Sequence, residues 1–548
     1  MMLPRRRPQN AARAAILALA LASVLAAPAF AQPAAGPVLL EVTRFEIVGA
    51  NPFSEADTAA VLAPHLGPHQ SLASLEAAAT ALENRLRDAG YSFHRVIIPA
   101  QKPAQGVVRL EILQFPLASV EVTGNQHFSA DNIRRSLPGL VAGTTPDVNE
   151  MSRELGLANE HMSKRATIVL KESKSADALD AEIRVRDVPP ANYFVSLIGH
   201  SKDAYDVINE NTGYTRATFG YQNTNLFDRD HAVTVSYTTS PERIDRVKQF
   251  GAFYSIPFYG YNTSLQAYYT KSDVNTGGIG FGGAVFNVSG RGEFAGVRLT
   301  YSLPKVGEFT QNVGLAIDDR HFESSVGFAG TPLGPTAVRS RPLSLRYAAR
   351  TDQTWGGGGG FIEWADNLFG GSGNTDAAYA NSRLNAGVTR KWSALRYGLD
   401  ANTTWRDWVL SARLRGQFAE TPLIPGEQFG VGGAISVRGL REREFTGDSG
   451  NTLTLEALGP AFDGTTIRPL AFLDHGYARL HGGSTLQGTS VTTETATSVG
   501  VGARWKWRQS LDFSVDFAYV LNGINASIGV PGTANGDVKM HFALFYKF

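Results

Sequence analysis

From Glu427 to Leu440 the chain reads Glu-Gln-Phe-Gly-Val-Gly-Gly-Ala-Ile-Ser-Val-Arg-Gly-Leu, which places one permanent cation, Arg438, in a glycine-rich and largely apolar stretch. Glycines of this kind allow a tight loop whose backbone approaches other groups closely. Further on, Phe472-Leu473-Asp474-His475-Gly476 sets an acid in a strand-like run. A guanidinium and a carboxylate form a strong bidentate pair when a loop folds back to join them. The alternative for Arg438 taken alone is a solvated loop arginine. Other chemistry finds little support. Asp474 and His475 are adjacent, so on a strand they face opposite sides and do not make a catalytic pair. Ser484 lies in a Gly482-Gly483-Ser484 turn with no Gly-x-Ser-x-Gly frame. His94, His161 and His231 show no metal-ligand spacing. Gly356 to Gly360 lacks the Lys-Ser/Thr of a phosphate cradle and reads as a flexible turn. The absence of cysteine excludes a disulfide framework, a thiolate metal site and a cysteine nucleophile. The sequence therefore offers no catalytic, cofactor-binding or metal-binding set.

The elements that must position Arg438 and Asp474 show period-2 alternation. Leu511, Phe513, Val515, Phe517 and Tyr519 oppose Asp512, Ser514, Asp516 and Ala518. Likewise, Met540, Phe542, Leu544, Tyr546 and Phe548 oppose His541, Ala543, Phe545 and Lys547, while Val233, Val235 and Tyr237 oppose Thr234, Ser236 and Thr238. Each segment has an oily and a wet face. That pattern fits a soluble antiparallel sheet with a dry core, or a membrane barrel that is dry outside and wet inside. Arg, Lys and Asp on the polar face and aromatic residues at strand ends favour the barrel. In a bilayer every backbone donor and acceptor must be paired, so such a sheet has to close. At about 22 residues per strand and connection, residues 191–548 hold about 16 antiparallel strands.

Composition changes near residue 190. Of 57 glycines, 9 precede it and 48 follow; 17 of 18 tyrosines and all seven tryptophans also follow. Before the break, the order strand, helix, helix, strand, strand occurs twice, over 42–115 and 116–190. In the first copy the strand is Val42 to Val48. A short helix begins at Ser54, and a longer one spans Ser71 to Gly90 with Leu72, Leu75, Ala79, Leu82 and Leu86 on one stripe. The strands Ser92 to Ile98 and Val107 to Leu113 follow. The second copy predicts Leu117 to Thr123, helices Ser129 to Leu137 and Asn149 to Met162, then Thr167 to Lys171 and Leu179 to Arg186. The openings Phe45-Glu46-Ile47-Val48-Gly49-Ala50-Asn51 and Val120-Glu121-Val122-Thr123-Gly124-Asn125-Gln126 are alike, which indicates a duplication.

At the N-terminus Arg5, Arg6, Arg7 and Arg13 precede the apolar run Ala14 to Ala27, and Ala29-Phe30-Ala31 supplies small cleavage-site residues. Residues 1–31 read as a secretory signal peptide and 32–41 as a short linker. Cleavage removes four arginines and no acid from a net charge of +1, leaving −3. Near-zero charge argues against a nucleic-acid partner. A mean hydropathy of −0.13 is too polar for a bundle of membrane helices.

Taken together, the chain resembles the two-partner secretion translocators, the outer-membrane family of haemolysin secretion/activation proteins. Gly432-Gly433 with Val437-Arg438-Gly439-Leu440 is similar to the tip of that family's inward-folded loop, here near 426–450, and Phe472, Asp474 and Gly476 match its barrel-wall motif. The duplicated region looks like two periplasmic POTRA domains, and Phe548 resembles an outer-membrane barrel terminus. The resemblance implies α+β POTRA domains followed by an all-β barrel in the outer membrane of a Gram-negative bacterium. It further implies a monomer that needs no cofactor and exports a large secreted partner, an adhesin or haemolysin, with Arg438 paired to Asp474 as a latch. Two departures stand out. Leu440 sits where the family usually has an aromatic residue, and the short 32–41 linker leaves little or no room for a plug helix. The same motifs also suit a barrel-assembly insertase, although those carry more POTRA copies; an outer-membrane enzyme is the remaining alternative.

Overall fold

The computed structural model describes residues 40–69, 71–202, 212–273, 277–281, 284–288, 291–328, 331–383, 387–481, 493–508, 510–524 and 532–548. The expected signal peptide (1–31), most of the expected linker (32–41) with any plug helix, and Ser484 lie outside the described residues. The chain divides into two compact units, one of residues up to Leu82 with Val96–Ile112, and a second of Glu83–Arg95 with Leu113–Phe548.

The first α/β module runs β1 (Leu40–Val42), β2 (Arg44–Gly49), α1 (Glu55–Leu62), β3 (Gly67–His69), α2 (Leu72–Asp88), β4 (His94–Ile97) and β5 (Val107–Gln114). Its sheet order is β2-β5-β4, with β2 parallel to β5, and β1 pairs with β3. The predicted stripe on α2 buries Leu75, Ala79, Leu82 and Leu86, whereas Leu72, the first helical residue, is exposed. Gly90 ends this helix at φ +102°, and the Tyr91 N–H donates to the Leu86 carbonyl at 2.9 Å.

The second module repeats the plan: β6 (Leu117–Thr123), α3 (Ala130–Arg135), α4 (Val148–Ala158), β7 (Lys164–Glu172) and β8 (Leu179–Asp187), in sheet order β6-β8-β7 with β6 parallel to β8. Equivalent residues do equivalent work. Ser54 and Ser129 cap α1 and α3, accepting from the Asp57 and Asn132 N–H at 3.1 and 3.0 Å. Gly49 and Gly124 both hold positive φ, and a Cβ on either would lie 2.4 or 2.5 Å from the carbonyl oxygen of Ile112 or Val185 on the paired strand. Helix α4 stops short of the predicted Met162. The Asn159 side chain bonds both backbone groups of Ala166, at 2.9 and 2.7 Å, and turns the chain into β7.

Glu154 on α4 is 1% exposed and accepts the Gly139 N–H with both carboxylate oxygens at 2.9 Å. Burial, which disfavours the charged form, pushes its pKa from 4.5 up to about 7, against the opposing hydrogen bond from Gly139. The folded module therefore holds this proton where the unfolded chain has released it, and stability falls as pH rises from about 4.5 to about 7. Glu154→Gln should remove that dependence and stabilise the module above pH 7 by on the order of 2–3 kcal/mol. Amide exchange of residues 117–187 in the full-length protein at pH 5 and pH 8 is the measurement; equal pH sensitivity in both proteins would count against it.

The barrel follows from residue 191. Its strands are β9 (Ala191–His200), β10 (Thr215–Leu226), β11 (His231–Thr239), β12 (Gln249–Phe258), β13 (Thr263–Ser272), β16 (Arg291–Val306), β17 (Phe309–Phe328), β18 (Thr331–Ser340), β19 (Pro342–Gln353), β20 (Gly356–Asn367), β21 (Ser393–Trp405) and β22 (Trp408–Phe418). The wall then continues through β25 (Ser449–Leu458), β26 (Ile467–Arg479), β27 (Thr493–Trp507), β28 (Leu511–Asn522) and β29 (Val538–Lys547). Two small hairpins lie outside the wall order: β14 (Gly277–Phe281) with β15 (Ala284–Val288), and β23 (Phe429–Val431) with β24 (Phe445–Gly447). Every wall ladder among the described residues is antiparallel, and β29 closes on β9. Because β18 and β19 both pair with β17 and are interrupted only at Arg341, they form one spanning strand, so the described wall has 16. Among the described residues no helix is long and apolar enough to cross a membrane.

One expectation is corrected. Gly356 to Gly360 is no turn but the start of β20, paired residue by residue with β19 and β21. A strand without side chains is weak alone, yet closure gives each of its backbone groups a partner, and tertiary pairing overrides propensity.

Short turns gather at one barrel end, and the second module docks there. Lys164, 2% exposed, donates to Asp230 at 2.5 Å and to the Asn132 amide oxygen at 2.8 Å. Tyr259, from the next short turn, also donates to Asp230 at 2.5 Å. A buried ion pair satisfied in this way fixes geometry more than it adds stability.

Candidate functional site

The segment between β22 and β25 does not leave the barrel. It folds back into the lumen, and its descending and returning arms pair as β23 and β24. Gly432, at φ +114°, makes the bend possible: a Cβ there would lie 2.3 Å from the Arg441 carbonyl oxygen. The tip then packs apolar residues against the wall. Val437 and Leu440 are fully buried with Val431, Phe445, Ala478, Ala496 and Val520. Gly476 leaves the space for this packing, since a Cβ on it would lie 2.3 Å from Val431 and 2.8 Å from Val437.

At the tip, Arg438 is 4% exposed. Its Nε and Nη2 donate to the two Asp474 oxygens at 2.7 and 2.9 Å, and its backbone N–H reaches Oδ2 at 3.1 Å. Nη1 donates to Glu456 at 2.8 Å and to Asp516 at 3.2 Å. The guanidinium lies 3.5 Å from the centroid of the Phe472 ring, so the wall supplies the aromatic contact that Leu440 cannot. Arg504 holds Asp516 through both oxygens, at 2.5 and 2.9 Å. Gly439, at φ +97°, donates its N–H to His541 Nε2 at 3.0 Å.

Alternation explains why these groups meet. On β26 the even positions Phe472, Asp474, Gly476 and Ala478 face the lumen, while His475 faces away and bonds Thr497 at 2.9 Å. Register then sets heights: Asp474 lies opposite Thr454 on β25 and Ser498 on β27, placing Glu456 and Asp516 within reach of one guanidinium. The structure brings Val437, Arg438, Gly439 and Leu440 against Phe472, Asp474 and Gly476. Glu456, Asp516, Arg504 and His541 join them unforeseen, although Asp516 and His541 stand on the wet faces visible in the sequence.

The base of the loop is fixed separately. Glu427 accepts from Arg320 of β17 at 2.8 Å and Arg396 of β21 at 2.9 Å. Asp448, fully buried, accepts from Arg383 at 2.8 Å, the Leu423 N–H at 2.8 Å and the His481 N–H at 2.6 Å. Arg383 caps α5 (Asp376–Ser382), a helix in the β20–β21 connection, so that connection is tied to the lumen loop. The whole arrangement positions a loop.

A family model described as haemolysin secretion/activation protein ShlB/FhaC/HecB matches residues 206–505. The chain belongs to this family. A second model, POTRA domain of ShlB type, matches residues 40–114, the first α/β module. No curated protein sequence matches significantly. Among solved structures, CdiB from Escherichia coli aligns at TM-score 0.70 and 16% identity, over 95% of this chain and 93% of that one. CdiB from Acinetobacter baumannii aligns at TM-score 0.66 and 16% identity, over 93% and 90%. As a member of the haemolysin secretion/activation family, the protein is an outer-membrane transporter of two-partner secretion that serves a secreted partner protein. Its POTRA region stands in the periplasm, so the short-turn end of the barrel, where the second module docks, is the periplasmic end.

Proposed function

We propose that the protein captures one large adhesin- or haemolysin-type partner in the periplasm and passes it, unfolded, through the barrel as a monomer surrounded by outer-membrane lipid. The observation that carries this reading is the lumen loop: inside a closed wall one guanidinium and three acids hold a loop to one side of the lumen, an arrangement suited to gating a chain and not to turnover. Arg438 and Asp474 act as the latch. The second module, 116–190, serves as a second POTRA domain, with the first over 42–115. Edge strands support capture, because β4 and β7 each end their sheet order and can take up an added strand. With no phosphate cradle in the chain, folding of the partner outside the cell supplies the drive.

Deleting the gene should remove a single large protein from the culture medium and leave the outer-membrane barrel proteins at normal abundance by quantitative proteomics. A simultaneous fall in many barrel proteins would instead indicate an insertase.

A further inference from the structure

The glycine strand shapes the outside of the wall. On β20 the odd positions Glu363 and Ala365 face the lumen and are buried, whereas Ile362 and Trp364 are 49% and 52% exposed and face outward. Gly358 and Gly360 share that outward side, and their lack of Cβ lets the backbone of β21 lie close: a Cβ would fall 2.9 Å from the Asp400 carbonyl oxygen and 3.0 Å from that of Gly398. The wall is indented there. A cavity of about 1100 Å³ opens on the outer face, walled by Tyr347, Ile362, Leu399, Leu410 and Leu455. Phe309 and Trp355, from the short-turn end, line its foot.

The position of the groove specifies what it meets. From Gly356 to Ile362, at about 3.3 Å per residue and a tilt near 40°, the strand climbs about 15 Å, half of a hydrocarbon core about 30 Å thick. The groove thus runs from the periplasmic interface to mid-membrane, the depth of one leaflet. Interfacial aromatic residues mark its lower end. Beside them the Trp405 turn is joined by a hydrogen bond from Thr403 to the Trp355 carbonyl at 2.8 Å, and it carries an exposed cation, Arg406, 5.1 Å from the Trp405 ring. Concave, apolar and one leaflet deep, with Arg406 and then Asp407 in the exposed turn beside its foot, the site matches a phospholipid in shape and offers its headgroup a cation next to the groove.

We propose that this groove is a binding site for one phospholipid of the periplasmic leaflet, with an acyl chain lying over Gly358 and Gly360 and its phosphate at Arg406. The proposal rests on the outer-membrane placement of the barrel. The groove continues the lipid-facing belt and gives a chain a recess to lie in.

The test uses full-length protein in phosphatidylethanolamine and phosphatidylglycerol vesicles containing a trace of phospholipid with a photoactivatable acyl chain, read by peptide mass spectrometry. Labelling of 347–362 and 399–412 should exceed that of outward residues on β11 to β13 at least fivefold. Ala412→Trp with Ala457→Trp, both lining the groove, should reduce groove labelling to the level of β11 to β13, which stays unchanged. Arg406→Glu should lower it severalfold. If the double variant lacks the heat-modifiable band of a folded barrel, Ala412→Leu carries the comparison. Even labelling around the belt, or no response to filling the groove, overturns the site alone. Labelling nowhere on the belt overturns the membrane placement with it, and crosslinks to a second copy would make the groove a protein contact.

Discussion

Replacing Arg438 by alanine should lower partner secretion about tenfold or more while the barrel still inserts. The substitution strands Asp474, which is fully buried and would keep only the backbone N–H of residue 438, at 3.1 Å, from the present set. Breaking a buried pair by removing one partner typically costs about 3–5 kcal/mol, enough to unseat the tip. Its present contacts hold the loop against β25, β26, β28 and β29, to one side of the lumen. An untethered loop is free to lie across the path that the partner must take. Barrel assembly does not depend on this clamp, because wall closure runs through the β29 to β9 ladder. Arg438→Lys should rescue little, since one ammonium cannot span both Asp474 oxygens, Glu456 and Asp516. Partner in the medium and heat-modifiable barrel in the outer-membrane fraction are measured together; normal export would remove the latch from the mechanism.

The second large effect concerns capture. Deleting residues 42–115 should abolish secretion of the partner and leave it in the periplasm. Most of this segment belongs to the first compact unit, whereas the second module and barrel lie in the other, joined by the buried Lys164–Asp230 pair. The deletion thus takes away the β4 edge and its neighbouring helix without disturbing the wall. Co-purification of the partner with the shortened protein reads capture directly. Secretion at the normal level would refute the role assigned to the first POTRA domain.

Much of the fold was legible because local physics writes it into short stretches. Ser54 and Ser129 announce helix starts, Gly90 a helix end, and the spacing of Leu75, Ala79, Leu82 and Leu86 a buried stripe. Alternation in β28 and β29 told the wet face from the oily one. Legibility failed where a long-range partner overruled the local signal. Asn159 stops α4 by bonding the strand ahead, and the glycines at 356–360 become a membrane strand because β19 and β21 pair with them. At the site, the motif residues stood out as a loop tip and a wall segment, but Glu456 and Arg504 carried no sign of where they would meet.

By itself the sequence determined the kinds of element, their order and the face each strand turns to water, since these depend on side-chain period over a few residues. Only the tertiary structure decided that the segment after β22 turns into the barrel, and which acids surround Arg438. Those outcomes depend on the register of β25 to β28, and a shift of one residue would turn Asp474 outward into the membrane. The same closure that ladders each of these strands to its neighbours on both sides fixes that register.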